Sequence, residues 1–419
     1  MSNVIPLRTP AIYAVATMDS KGVELAFVAE RFSDTGIPVV TVDVGTLGAP
    51  AARPDVARDL VAAHHPDGKA AVLSQTDRGR AVEAMSVALR AFLLGEFAAG
   101  RVLGVIGLGG TGGTSLICPA MRALPIGLPK VMVSTVAGGN VAAYVGSSDL
   151  VMFPAIVDVA GLNSVSRRIL SNAANALAGM VTGVVSSMAA DRPTIGMTMF
   201  GVTTPCVDAV RRALEAEGFD CLVFHATGTG GRAMEKLVEA GLMRGVLDIT
   251  TTEVADEVVG GVFPAGPDRF EAILAASVPY VMSLGALDMV NFGAMVTVPE
   301  KFQGRRLHVH NPQVTLMRTT AEENRQFARW IAAKLNRSTA RVTLLIPEKG
   351  VSTLDAPGQS FHDPAADAAL FDELERAVEK TPNRVIRRLP YHINDREFSE
   401  ALVQSFQEMW STDSPIRPA

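Results

Sequence analysis

Short apolar runs alternate with longer segments of helical periodicity along most of the chain. Four of these runs, rich in Val, Ile and other apolar residues, occupy residues 12–17, 38–43, 102–106 and 131–135. Apolar runs of this length predict strands that are buried on both faces, as in a parallel sheet covered by crossover helices. The pattern therefore predicts an α/β fold with mostly parallel sheets flanked by helices.

The same pattern begins a second time after a polar, proline-containing break at 191–194. A helix of small residues, predicted over 166–188, precedes this break. The residues that follow it predict a strand, a helix and a strand at 194–201, 205–217 and 219–227. This order repeats the opening of the chain, which favours a duplicated architecture. We predict two Rossmann-like domains, spanning residues 1–190 and residues 191–419.

Composition narrows the class of protein. A chain of 419 residues is longer than the chains that usually fold around a single hydrophobic core. Its length therefore agrees with two domains of roughly 200 residues each. The net charge of −5 is spread along the chain, and this gives no basic surface for nucleic acid. Three scattered cysteines, Cys118, Cys206 and Cys221, predict buried thiols in a reducing cytoplasm rather than a disulfide framework.

Export and membrane insertion are not indicated either. Residues 1–17 lack the basic region, long apolar core and cleavage site of a signal peptide. The stretch 172–190 is weakly apolar and is interrupted by Asn175 and Thr182, so it predicts a helix packed inside the protein or at a subunit contact. We predict a cytoplasmic protein with no membrane partner.

A glycine-rich loop, "GLGGTGGTSL", follows the apolar run that ends at residue 106. Its glycines at 107, 109 and 112 fit the dinucleotide pattern G-x-G-x-x-G, but the next predicted strand lacks the acid that binds a ribose. The lysine of a Walker loop is also missing. The loop is therefore either a tight packing turn or a backbone nest for a polyphosphate, with hydroxyls from Thr111, Thr114 and Ser115.

A second part of such a site is predicted at the first strand-to-helix turn, "TMDSKG". Asp19 and Ser20 lie in this turn, and Asp43 ends the neighbouring strand, where a doubly wound domain places an acid on a ribose. Asp19 has the alternative role of a helix N-cap. Arg78, Arg80 and Lys130 are candidate counter-charges for phosphate, or else solvated surface cations.

The second predicted domain holds a similar loop, "HATGTGGRAMEKL", at 225–237. It fits the looser pattern G-x-G-x-x-A, and Asp248 lies on the following predicted strand, so an NAD-dependent oxidoreductase is one alternative function. The residues that would contact its ligand are Gly228, Thr229, Gly230, Gly231 and Arg232.

Side chains with catalytic chemistry are also predicted at strand ends of the second domain. The candidates are His225, Glu253, His308 and His310, which would serve a hydrolytic or carbon–carbon cleaving enzyme. His308 and His310 share one face if their segment is a strand, and His225 or Asp363 could complete a metal site with them. Because no dense ligand motif is present, we assign no metal site and keep hydrogen-bonded structural histidines as the alternative.

Several longer motifs together identify a family. They are "GLGGTGGTSL", "DVAGLNSVSRRILSNAANALAGM", "FHATGTGGRAMEKL", "DITTTEVADE" and "HNPQVTLMRTT". With them the chain resembles, from about residue 11 to 410, the uncharacterised protein family that shares the ATP-binding domain of the tomato mosaic virus resistance protein. The resemblance implies ATP, alone or with Mg²⁺, on Met18, Asp19, Ser20 and Asp43, on the "TDRG" segment with Arg78, and on Gly109, Gly110, Thr111 and Gly112 of the first domain. The hydroxyl of Thr114, already predicted from the loop itself, completes the expected site.

The resemblance also implies partners. Relatives frequently form homodimers, and some carry an additional TIM-barrel domain, so a separate TIM-barrel protein is one expected partner here. The expected function is that of an ATP-binding protein of unknown reaction, with a homodimer or higher homo-oligomer as its assembly. A further ligand or partner site is expected in the cleft between the domains.

Overall fold

Residues 9–183 and 192–413 are described by a computed structural model of the chain. The chain divides into two compact units, Met1–Ser187 and Met188–Ala419, which are called the first and second domains below. The predicted domain boundary at 190 and the predicted helix end at 188 lie outside the described residues.

The first domain contains five strands and seven helices within its described residues. The strands are β1 (Ala11–Ala16), β2 (Val39–Asp43), β3 (Val102–Gly109), β4 (Lys130–Ser134) and β5 (Val151–Pro154). The helices are α1 (Met18–Asp34), α2 (Arg58–Ala62), α3 (Ala70–Leu73), α4 (Arg78–Ala98), α5 (Thr111–Ala123), α6 (Ala142–Val145) and α7 (Ser164–Thr182).

All five strands are parallel, in the order β2-β1-β3-β4-β5. Ile12 and Ala14 of β1 face the core under α1 and α7, whereas Tyr13 and Val15 face the core under α4 and α5. Because both faces are covered, every residue of β1 is buried, which explains its apolar run. This order is a common doubly wound arrangement, so the prediction of a Rossmann-like domain is confirmed.

The second domain repeats this architecture and extends it. Its strands are β6 (Thr194–Met199), β7 (Asp220–His225), β8 (Gly245–Thr250), β9 (Tyr280–Gly285), β10 (Met289–Phe292), β11 (Leu307–Asn311), β12 (Val314–Arg318), β13 (Val342–Pro347) and β14 (Arg384–Leu389). Its helices are α8 (Thr204–Ala216), α9 (Thr229–Glu239), α10 (Glu253–Val259), α11 (Glu271–Ala276), α12 (Ala321–Arg337), α13 (Pro364–Ala377) and α14 (Arg396–Asp413).

Six of these strands form a parallel sheet in the order β7-β6-β8-β9-β13-β14. Its first five positions repeat the order of the first domain, so the predicted α/β class with two mostly parallel sheets is confirmed. The remaining strands form a small antiparallel sheet, β10-β12-β11, which the apolar pattern did not predict. No helix within 9–183 or 192–413 is long and apolar enough to cross a membrane.

Candidate functional site

The candidate site of the first domain lies at the carboxyl ends of β1 and β3. The helix after β1, α1, packs on one face of the sheet, and the helix after β3, α5, packs on the other. A doubly wound sheet opens a crevice where neighbouring connections leave in opposite directions, and ligands bind there. The two loops that the sequence singled out, 17–20 and 109–114, therefore flank this crevice.

Two carboxylates organise the β1 and β2 side of the crevice. Asp43 is buried, and its Oδ1 accepts hydrogen bonds from the backbone N–H of Met18 (3.0 Å) and of Gly45 (2.8 Å). Asp19 Oδ2 accepts from the backbone N–H of Leu47 at 3.1 Å and Gly48 at 3.3 Å. These bonds fix the loop after β2 against the start of α1, so Asp19 tethers a loop and does not cap its helix.

The other two residues of this turn differ in exposure. The Met18 side chain is fully buried in the core, so only its backbone is positioned at the crevice. Ser20 is exposed, and its hydroxyl contacts the Thr17 hydroxyl (3.1 Å) and carbonyl (3.2 Å). Of the two predicted contacts, Ser20 is thus the side chain that a ligand can reach.

The glycines of the first loop fall into two groups. A Cβ at Gly107 would lie 2.5 Å from Met132 Sδ, and one at Gly109 would lie 2.8 Å from the Thr114 nitrogen. These two glycines let α5 approach the sheet closely. At Gly110 the nearest atom would be Thr135 Oγ1 at 3.7 Å, and at Gly112 it would be Arg78 Nη2 at 4.0 Å. Both distances are ordinary van der Waals contacts, so protein packing does not require glycine at these two positions.

The hydroxyls near this loop have different roles. Thr111 begins α5 and is exposed. Thr114 is fully buried, and its hydroxyl bonds Ser134 Oγ (2.6 Å) and the Gly110 carbonyl (2.8 Å), so it anchors α5 to β4 and does not face a ligand. Thr135, which the sequence reasoning missed, is exposed beside Gly110. Its position at the end of a predicted strand, 131–135, was the signal that could have found it.

The three candidate cations differ in exposure and in their distance from the crevice. Arg78 is exposed, begins α4, and has its guanidinium beside Gly112, with no hydrogen bond or ion pair of that guanidinium within the described residues. Arg80 is also exposed on the first turn of α4. Lys130 begins β4, at the opposite end of the strand from the crevice, and its ammonium is buried against Asp149 (2.7 Å). The suggestion that Lys130 neutralises phosphate is therefore wrong.

The second glycine loop is filled by a side chain of its own domain. Glu253 is fully buried, and its Oε1 accepts hydrogen bonds from the backbone N–H of Gly228 (2.7 Å) and of Gly231 (3.2 Å). These N–H groups open α9, where an incoming anion would bind. A Cβ at Gly231 would lie 2.2 Å from Glu253 Oε2, and one at Gly230 would lie 2.0 Å from the His225 carbonyl oxygen. Packing alone therefore explains these glycines.

A buried ion cluster holds Glu253 in place. The Arg269 guanidinium contacts Glu253 Oε2, Glu235 Oε1 and Asp248 Oδ2, each at 2.9 Å. Asp248 also accepts hydrogen bonds from the hydroxyls of Thr198 (2.6 Å) and Tyr280 (3.0 Å). Burial raises the pKa of Glu235, while the three carboxylates together raise the pKa of Arg269. The Asp248 carboxylate is therefore already bonded to buried side chains of the protein, and it is not available to bind the ribose of NAD.

The two glycine loops are also not equivalent in the sheets. The first follows β3, which flanks the β1/β3 switch point where ligands bind in doubly wound folds, whereas the second follows β7, the counterpart of the outer strand β2. The residues that follow β8, the counterpart of β3, are Thr251 and Thr252, and both are buried. The likeness between the two loops is therefore one of sequence and not of place.

The candidate catalytic histidines lie on two separate strands, β7 and β11. His225 ends β7, is exposed, and has its ring 5.3 Å from Phe200. His308 and His310 lie on β11 of the antiparallel sheet, where a bulge at His310 breaks the alternation that would place them on one face. Asp363 caps α13 through the Ala366 N–H (3.1 Å). Within 9–183 and 192–413, no three His, Cys, Asp or Glu side chains form a group suited to a metal ion.

A second buried ionic network lies where β9 and β13 end. Arg318 Nη2 contacts Asp367 Oδ1 at 2.6 Å and Asp355 Oδ1 at 3.4 Å, and Ser352 donates to Asp288 Oδ2 at 2.7 Å. Burial raises the pKa of Asp288 and of Asp355 to about 6, and that of Asp367 to about 7. The negative charge of Asp355 adds to the shift of Asp367.

These raised pKa values predict that the second domain loses stability as the pH rises. A carboxyl whose folded pKa exceeds its unfolded value of about 3.9 binds its proton more tightly in the native state, so its contribution is lost as pH rises through the folded pKa. We expect the urea midpoint to fall between about pH 4 and pH 7, in the range of the raised values. Fluorescence of the two tryptophans, Trp330 and Trp410, reports on this domain alone. The Asp367→Asn variant should show a weaker pH dependence, and an unchanged dependence would contradict this assignment.

Fold and site together define a two-domain, doubly wound α/β protein with one open and one internally filled glycine loop. A model described as the N-terminal domain of an uncharacterised protein family, UPF0261, matches residues 10–186, and one for its C-terminal domain matches residues 192–410. The chain belongs to this family, which confirms the resemblance recognised from its motifs.

Relatives match nearly the whole chain. A member of the family from Rhizobium meliloti (strain 1021) is 56% identical over 398 residues, which cover 95% of this chain and 98% of the relative. One from Clostridium tetani is 45% identical over the same shares of both chains. The tomato ToMV resistance protein Tm-1(GCR237) is 49% identical over 422 residues, covering 96% of this chain but 56% of that protein.

Proposed function

We propose that the chain is an ATP-binding protein whose nucleotide occupies the crevice of the first domain, between the 17–20 turn and the 109–114 loop. The observation that carries this proposal is the difference between the two glycine loops. A Cβ at Gly110 or Gly112 would make only an ordinary van der Waals contact, with Thr135 Oγ1 or with Arg78 Nη2, whereas the second loop already holds the Glu253 carboxylate. One nucleotide per chain is the expected stoichiometry.

The residues present fit a phosphate chain in this crevice. Backbone N–H groups at the start of α5 lack partners within their helix and attract anions. The phosphates of a ligand can approach the protein backbone at Gly110 and Gly112 because these residues carry no Cβ. The Arg78 guanidinium, next to Gly112, can pair with phosphate oxygens there. The nucleoside is then expected on the β2 side, near Ser20 and the loop held by Asp43. ATP is the nucleotide that the family resemblance implies.

Titration calorimetry with ATP, with and without MgCl₂, tests this placement. In the Gly110→Glu variant a carboxylate would occupy and repel the phosphate position, so affinity should fall at least about 100-fold. The matched control is Gly95→Glu, a change at an exposed helical glycine of the same domain with no atom near its Cβ position. Equal ATP affinities for the wild type and the Gly110→Glu variant would overturn the placement.

A further inference from the structure

The loop that follows β2, residues 44–51, is fixed from two sides. On one side the N–H groups of Leu47 and Gly48 donate to Asp19 Oδ2, at 3.1 Å and 3.3 Å. On the other side Arg58 Nη1 donates to the Gly48 carbonyl at 2.6 Å. These bonds belong to the protein itself, so the loop has its conformation before a ligand arrives.

This fixed loop presents an apolar side chain to solvent. Leu47 is 69% exposed, although its backbone N–H is bonded to Asp19. Single exposed leucines are common on protein surfaces, so exposure alone points to no function. Leu47 differs because its backbone is held beside the proposed nucleotide site. A group that is already ordered loses little conformational entropy when it contacts a ligand.

The strand order places this loop beyond the ribose of the proposed nucleotide. Neighbouring strands lie about 4.8 Å apart, so β2 lies about 10 Å from β3 in the order β2-β1-β3. With phosphates at the loop after β3 and the ribose at Asp43, the nucleotide runs across this distance from β3 to β2. The base then lies at the residues that follow β2, where Leu47 is exposed.

Most hydrogen-bonding groups of the loop are already used within the protein. The backbone N–H groups that donate to protein acceptors are those of Val44, Gly45, Leu47, Gly48 and Ala51. Pro50 has no N–H group. The polar side chain within 44–51 is Thr46, whose hydroxyl either donates or accepts a hydrogen bond. Such a hydroxyl fits the amino group of adenine and the carbonyl oxygen of guanine equally well.

We propose that Leu47 packs on the face of the nucleobase and that the crevice therefore binds GTP as well as ATP. This inference rests on the proposed function, because it needs a nucleotide whose phosphates lie at the 109–114 loop. An apolar side chain contacts adenine and guanine alike, since every base has a flat π face. Selection then falls on the ribose and the phosphates, and the ligand class is purine nucleoside triphosphates.

Titration calorimetry of the full chain with ATP and with GTP tests this inference. The two dissociation constants should lie within about fivefold of each other, which is no more than one bidentate contact to a base edge would discriminate. In the Leu47→Ser variant both constants should rise about tenfold, because part of a leucine side chain no longer leaves water on binding. Serine is uncharged, so the change does not alter the attraction for phosphate.

Two further variants serve as controls. Leu47→Met keeps an apolar contact of similar volume and should bind both nucleotides like the wild type. Val87→Ser makes a similar change at a side chain that is 42% exposed on α4, about 13 Å along the helix from Arg78, and should also bind like the wild type. Circular dichroism and thermal melts establish that each variant is folded.

The outcomes separate this inference from the proposed function. A wild type that binds neither nucleotide, or a Gly110→Glu variant that binds ATP like the wild type, would overturn the proposed function and this inference with it. If ATP binds the wild type and is lost in Gly110→Glu, full ATP affinity in Leu47→Ser would overturn the role of Leu47 alone. In that same case, GTP binding more than about tenfold weaker than ATP would overturn the shared purine site.

Discussion

The Arg269→Met variant should lose much of the stability of the second domain. Arg269 is almost fully buried and contacts three carboxylates, on Glu235, Asp248 and Glu253. Removing one partner of a buried ion pair costs about 3–5 kcal/mol, because the remaining charge stays buried without compensation. Whole domains are stable by about 5–15 kcal/mol, so this loss is a large fraction of the free energy of unfolding.

The measurement is urea unfolding followed by tryptophan fluorescence, at pH 7.5 and at pH 5. Without the guanidinium the buried carboxylates should take up protons, so the deficit of Arg269→Met should be smaller at the lower pH. The control is Arg329→Met, which removes an ion pair to Glu373 (2.6 Å) from a side chain that is 52% exposed. That change should cost under about 1 kcal/mol. Equal losses for the two variants would contradict the structural role of Arg269.

The apolar runs were sufficient to predict the class of fold, because strands buried on both faces must be apolar throughout. β1 illustrates this, since its six residues are all buried. The runs could not predict the antiparallel sheet, whose outer strand, "LHVHN", is largely exposed and so carries no apolar run. They also could not predict the bulge at His310, because a bulge depends on which residues face each other across the strands.

The candidate site was predictable in part for a related physical reason. Doubly wound topology places strand ends, strand-end loops and helix N-termini together. The position of Asp43 therefore followed from its place at the end of a strand, and that of Gly110 from its place in a loop after a strand. Lys130 could have been rejected by the same rule, because a residue that begins a parallel strand lies at the opposite edge of the sheet. The filling of the second loop was not predictable, because Glu253 lies 22 residues from Gly231 and only the folded chain brings them together.

Alanine at Gly231 of the second loop should lower stability and leave ATP affinity unchanged, whereas alanine at Gly112 of the first loop should lower ATP affinity and leave stability nearly unchanged. In Gly231→Ala the new Cβ would lie 2.2 Å from Glu253 Oε2 and 2.7 Å from Arg269 Nε, which are both held in the buried ion cluster. Neither neighbour can move without breaking that cluster, so we expect a loss of about 3 kcal/mol, at the upper end of the cost of overpacking. ATP affinity of the folded protein should not change, because this loop holds a carboxylate of the protein itself.

In Gly112→Ala the nearest atom to the new Cβ would be Arg78 Nη2 at 4.0 Å, so the protein has room for it. Stability should stay within about 1 kcal/mol of the wild type, since alanine is the better helix former. The methyl group would project into the space next to Arg78, and ATP affinity should therefore fall about tenfold, which is about 1.4 kcal/mol. Denaturation and calorimetry on both variants separate the two effects. If Gly231→Ala weakened ATP binding and Gly112→Ala did not, the nucleotide would have to be assigned to the second domain, with Glu253 displaced from its loop.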